Sequence, residues 1–153
     1  MKKFWLMKTE PDVFSIDDLK KHKSTLWEGV RNYQARNFMM NDMKIGDEVL
    51  FYHSSTDPSG IAGLAKVISE KKPDPTQFDK KSSYFDSKAT KQKPVWYCVE
   101  VEYVKKFPHI IPLAHLKKTA ELEDMLVIKQ GQRLSIQPVT EYQFQWIIQN
   151  LAK

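Results

Sequence analysis

The chain has 153 residues, 41% of them apolar and 28% charged, which is ordinary globular composition and enough length to bury a core without covalent staples. One cysteine, Cys98, excludes an internal disulfide framework and a cysteine-based zinc ribbon, and no apolar run approaches the ~20 residues of a membrane helix. With 24 basic and 19 acidic side chains the formal charge is +5, a modest excess with which tight non-specific binding is not expected.

Phe4 to Met7 is a short apolar run with the character of a buried strand. The stretch is too short for a secretory leader, because Lys8 and Glu10 interrupt it, so the expected location is the cytoplasm, or the nucleus in a eukaryote. Ser15 followed by Asp18 predicts a capped helix ending near Lys21. Asn32 can cap a second helix with Ala35, Phe38, Met39 and Met43 on one face. Gly46-Asp47 turns into a strand from Glu48 to Tyr52, and His53 to Gly60 reads as a loop. Ile61 to Ile68 is the next strand, where Gly60 and Gly63 permit close backbone approach.

Residues 71–93 hold seven Lys and three Asp, +4 of the total charge, and with Pro73 and Pro75 read as a long basic loop, either following a phosphate backbone or simply solvated. Val95 to Val104 alternates, with Tyr97, Val99, Val101 and Tyr103 sharing the face of Val95, while Trp96, Glu100 and Glu102 lie on the other. Pro112 opens a short helix, Thr119 begins another, and Leu134 to Gln137 alternates as a strand. Thr140 with Gln143 forms a capping box for a final helix carrying Phe144, Ile147, Ile148 and Leu151. Four or five strands with short helices and no regular strand–helix alternation predict an α+β fold, a partly closed barrel or strongly bent mixed sheet.

Only three of the basic residues are Arg, namely Arg31, Arg36 and Arg133, all in Gly/Asn/Gln-rich segments. A planar five-donor fork suits phosphate, carboxylate or a base edge in ways that Lys does not reproduce. In WEGVRNYQARN, residues 27–37, Arg31, Asn32 and Tyr33 stand at a helix start, with Arg36 one turn on. A ring, an amide and a planar cation on one patch suit a nucleotide; the competing reading is a bracing network with Arg31 paired to Glu28 or Glu10. Phosphate-cradling glycine loops are absent, and His22, His53, His109 and His115 lack metal-ligand spacing, so neither cofactor nor metal is expected. Cys98, mid-strand, reads as an inert buried thiol.

WLMKTEP at 5–11, WEGVRNYQARN, EVLFYHSS at 48–55, GIAGLAKV at 60–67, the DP..FD region at 74–79, PVWYCVEVEYV at 94–104 and QGQRLSIQPV at 130–139 together resemble the EVE domain family, in order and over nearly the whole chain. The resemblance implies a single domain over 1–153 with a PUA-like fold, a bent pseudo-barrel of mixed strands surrounded by short helices, related to YTH and ASCH domains. It also implies binding of DNA or RNA that carries a modified base, such as methylated or hydroxymethylated cytosine. Carried onto this sequence, the pocket comprises Lys8, Thr9 and Glu10; Trp27, Val30, Arg31, Asn32, Tyr33 and Gln34; Tyr52, His53 and Ser54; and Arg133, Ser135 and Gln137, with Arg36 as a further phosphate ligand. Where a YTH reader continues its Gly-Val pair with a cage Trp, this chain has Arg31 after Gly29-Val30, which favours a polar pocket. The expected function is therefore a non-enzymatic reader of a modified base. The alternatives are an enzyme acting on a nucleotide or small anion with His53 or Glu10 as base, and a protein-interaction scaffold.

Overall fold

A computed structural model describes residues 1–153. Six strands form one mixed sheet: β1 Phe4–Thr9, β2 Ser24–Leu26, β3 Glu48–His53, β4 Gly60–Val67, β7 Glu100–Pro112 and β8 Ile136–Val139, in the order β2-β7-β4-β3-β1-β8. β5 Lys72–Pro73 and β6 Tyr97–Cys98 make a separate two-stranded ribbon. Four α-helices, α1 Ile16–His22, α2 Tyr33–Asn37, α3 Leu113–Lys117 and α4 Glu141–Asn150, surround the sheet with short 3-10 turns. Only β1 and β3 pair in parallel; the other neighbours are antiparallel.

The sheet is covered on both faces, which is why β1 and β3 read as apolar runs and not as alternations. Trp5, Met7, Val49 and Phe51 enter a core with Ile16, Leu19, Trp27, Ala35 and Met39. Phe4, Leu6, Leu50 and Tyr52 enter a second core with Phe107, Ile111, Leu116, Phe144 and Ile147. Register shifts in the β3–β4 and β4–β7 ladders bend the sheet into a curled half-barrel. Backbone of β7 occupies the space that a Cβ would take at Gly60 and Gly63, so both positions serve the close approach expected of them.

Helix starts follow their sequence signals. Ser15 with Asp18, and Thr140 with Gln143, form complete capping boxes, and the Asn32 side chain accepts from Ala35 N–H at 2.9 Å. Asp47, 1% exposed, accepts from the Trp5 indole at 2.9 Å and from the Lys3 and Lys44 amides at 3.0 Å, tying the start of β1 to the turn before β3.

Four expectations need correction. The second helix covers only five residues before a π-type turn over Phe38–Asp42, closed by Met43 N–H on Phe38 C=O. The stretch 95–104 is not one strand: the chain leaves the ribbon after Cys98 and joins the main sheet at Glu100, and Trp96, Cys98, Val99 and Val101 are all buried. Trp96 precedes the ribbon strand and lies outside β7, so it shares no strand with Glu100 and Glu102. Segment 71–93 is not structureless. It contains β5 and a 3-10 turn Pro75–Phe78, and the fully buried Gln77 side chain donates to the carbonyls of Asp74 and Trp96 while accepting from the amides of Val95 and Trp96. The strand expected at 134–137 is displaced to Ile136–Val139.

Candidate functional site

A polar cleft of about 680 Å³ opens where the end of β1, the loop after β3, β2 with the 27–31 segment, the 132–135 segment and Tyr84 converge. It gathers Lys8, Thr9, Glu10, Trp27, Val30, Arg31, Ser54, Arg133 and Ser135 from four separated stretches of sequence. Parallel pairing of Lys8 with Tyr52 and Thr9 with His53, and the bond from Ser54 N–H to Thr9 C=O at 2.9 Å, bring the first and third motifs together. The bond from Lys8 N–H to Ser135 C=O at 2.8 Å brings in the fourth.

The remaining candidates lie outside the cleft. Asn32 caps α2, and Gln34 is exposed on it. Tyr33 stacks on Trp96 with centroids 4.9 Å apart and planes 21° apart. Arg36 lies 4.8 Å from the Tyr33 ring and donates to Val95 C=O and Asn37 Oδ1. Tyr52 is buried in the second core, and Gln137, 1% exposed, donates to Leu134 C=O at 2.9 Å. His53 is buried too, and its Nε2 accepts from Ile16 N–H at 3.1 Å, which requires the neutral ring; burial lowers its pKa below the ordinary 6.5.

Arg31 reaches the cleft but directs its donors inward. Nε and Nη2 donate to Tyr84 C=O at 3.1 and 2.7 Å, Nη1 to Val30 C=O and Asp74 Oδ2 at 2.9 and 3.1 Å, and Nη2 to Thr76 Oγ1 at 3.0 Å. These bonds engage every N–H group of the guanidinium. Asp74, 1% exposed, also accepts from Gly29 N–H at 2.7 Å and from Thr76. Burial alone would raise its carboxyl, but the bonds from Thr76, Gly29 and Arg31 hold it below the usual range. Arg31 is therefore braced, but its partner is Asp74 and neither Glu28 nor Glu10. The guanidinium sits 5.1 Å from the Trp96 ring and 5.4 Å from that of Tyr84.

Groups left free at the cleft set its chemistry. Trp27 is 7% exposed, edge-on to Phe51 with centroids 5.6 Å apart. Its indole N–H has no acceptor in the protein and is not fully buried, and Trp27 lines the cleft. Lys8 is half-buried, and burial lowers its pKa from 10.5. Arg133 is exposed and forms no ion pair. Glu10 and Glu28 supply carboxylates at the rim, and partial burial with Asp74 nearby raises the pKa of Glu28. Glu28, Gly29, Ser55, Tyr84 and Gln132 also line the cleft although the motifs do not single them out. Glu28 and Gly29 lie within WEGVRN, Ser55 within EVLFYHSS and Gln132 within QGQRLSIQPV, whereas nothing local marks Tyr84. Cys98 is buried, with its thiol pushed up to about 12 by burial and by the Asp74 and Glu28 carboxylates.

A curled mixed sheet ringed by short helices, with a polar cleft at the C-terminal ends of the parallel pair β1–β3, defines a PUA-like domain. At the level of fold alone it matches the ASCH protein of Zymomonas mobilis, with a TM-score of 0.56 at 8% identity over 97% of this chain and 99% of the other. The EVE domain family matches residues 3–150, and the chain belongs to that family. Human thymocyte nuclear protein 1 is 42% identical over 163 residues, covering 94% of this chain and 72% of the human one. The crystal structure of human THYN1 in complex with 5-methylcytosine-containing DNA superposes with a TM-score of 0.88 at 42% identity, over 97% of this chain and 96% of that one.

Proposed function

We propose that this chain is a DNA-binding module that takes a modified cytosine, flipped from its helix, into the cleft. The observation that carries the reading is the set of groups without protein partners among the cleft's lining residues: the Trp27 indole N–H, the Glu10 and Glu28 carboxylates, and the Lys8 and Arg133 cations. A cytosine edge offers an N4 amine to a carboxylate and the acceptors N3 and O2 to an N–H donor. The cations suit the flanking phosphates. The complex of the human relative with 5-methylcytosine DNA supports DNA as the nucleic acid and the 5-substituted base as the feature read. We read the module as a binding one: of the two candidate bases, the ring nitrogen of His53 is already accepting from Ile16 N–H, and the Glu10 carboxylate is assigned to reading the base. Its place of action follows the DNA: the nucleus where there is one, the cytoplasm where there is not.

Fluorescence anisotropy with otherwise identical duplexes carrying cytosine, 5-methylcytosine, 5-hydroxymethylcytosine or N6-methyladenine tests this. One buried methyl is worth ~0.8 kcal/mol, so the 5-methylcytosine duplex is expected to bind about four-fold more tightly than the unmodified one. Equal affinity across the panel, or no binding at all, overturns the reading.

A further inference from the structure

The cleft has an aromatic wall that no motif marks. Tyr84 comes from the basic segment, more than 50 residues along the chain from Gly29, yet the two are in contact: a Cβ at Gly29 would lie 2.8 Å from the Tyr84 ring. Gly29 also has φ +88°, so the position is closed to other side chains twice over. The Tyr84 carbonyl receives two of the Arg31 bonds, and the same guanidinium is held by Asp74 at the base of the segment. Farther along, Asp86 accepts from the Trp96 indole at 2.9 Å. The segment is thereby fastened on both sides of Tyr84.

The other aromatics at the cleft are committed. Trp27 is almost wholly buried, and Phe14 is stacked on His22 with centroids 6.0 Å apart. Tyr84 remains 41% exposed. On the same segment Lys80, Lys81, Lys88, Lys91 and Lys93 are exposed, and none forms an ion pair.

Resting on the reading above, we propose that Tyr84 is the wall against which the flipped base stacks, and that the lysines of its segment hold the adjoining phosphates, with Arg31 as the positioning residue that couples the two. A base inserted beside Tyr84 thus brings its own backbone onto the lysine edge. Stacking gives affinity that depends on the ring and not on salt, whereas the lysines give affinity that depends on salt and not on the base.

The test uses the full chain, the 5-methylcytosine and unmodified duplexes, and a salt titration. Tyr84→Ala is expected to weaken binding of the 5-methylcytosine duplex roughly 5- to 150-fold with the salt slope unchanged, and Tyr84→Phe to retain wild-type affinity. The triple variant Lys80→Gln, Lys81→Gln, Lys88→Gln is expected to weaken both duplexes alike, flattening the log–log salt slope by about 0.9 for each phosphate that the protein no longer neutralises. Thermal melts and circular dichroism establish that each variant is folded. A folded Tyr84→Ala that binds within two-fold of wild type, or a Tyr84→Phe that loses as much as Tyr84→Ala, overturns the stacking wall. A triple variant with an unchanged slope overturns the lysine edge. Should the wild type fail to prefer the methylated duplex, the fault lies with the base-reading function itself.

Discussion

At the scale of the residue, Arg31 decides how the site is read. Its guanidinium is enclosed by Tyr84, Val30, Asp74 and Thr76, and Asp74 is buried beneath it. Truncating one partner of such a pair leaves a buried carboxylate with fewer donors. Arg31→Ala is therefore expected to cost about 3 kcal/mol, lowering the melting temperature by ~6–12 °C in a calorimetric scan. Arg31→Lys is expected to recover little of it, since an ammonium cannot reach a carbonyl, a carboxylate and a hydroxyl in one plane. A purely phosphate-binding arginine on the surface would predict the opposite, a variant of unchanged stability. Composition singles out Arg31 correctly as unusual, but residue type alone does not say whether a fork of donors points inward or outward. Arg36 makes the same point, since its donors go to Val95 C=O and Asn37.

At the scale of the element, His53 joins two pieces that are far apart in the chain. It ends β3, and its acceptor nitrogen takes the first free amide of α1. Because folding lowers the pKa of this histidine, its contribution is complete above the unfolded value near 6.5 and is lost as pH falls through the lower folded value. Melting temperature measured from pH 8 down to pH 5 is expected to drop on the acid side of 6.5, and His53→Gln, which keeps an acceptor that does not titrate, is expected to flatten that drop. A wild-type profile level across the range would contradict this. The caps of α1, α2 and α4 are legible in the sequence because capping is local: donor and acceptor lie three residues apart. The order of segment 71–93 is not, because Gln77 and Asp74 find their partners at residues 95–96 and 29–31.

At the scale of the molecule, four of the five excess charges sit on one segment, 71–93, so attraction to DNA is concentrated there. With two to four lysines neutralising phosphates, the slope of log Kd against log salt is expected to have a magnitude of about 2–4. Binding that does not change between low and moderate salt would remove the basic edge from the interface.

Composition and local spacing determined the class of fold, the helix caps and the strands at Phe4–Thr9, Glu48–His53 and Gly60–Val67, because each of these rests on periodicity or on partners a few residues apart; the motifs that meet at the cleft were legible only through their resemblance to a family. Tertiary structure alone decided which of those residues face the cleft, that Arg31 is satisfied within the protein, and that Tyr84 stands beside Gly29. These outcomes depend on the meeting of segments separated by tens of residues, and whether a polar group is free or occupied is set by what the rest of the chain brings within hydrogen-bonding distance.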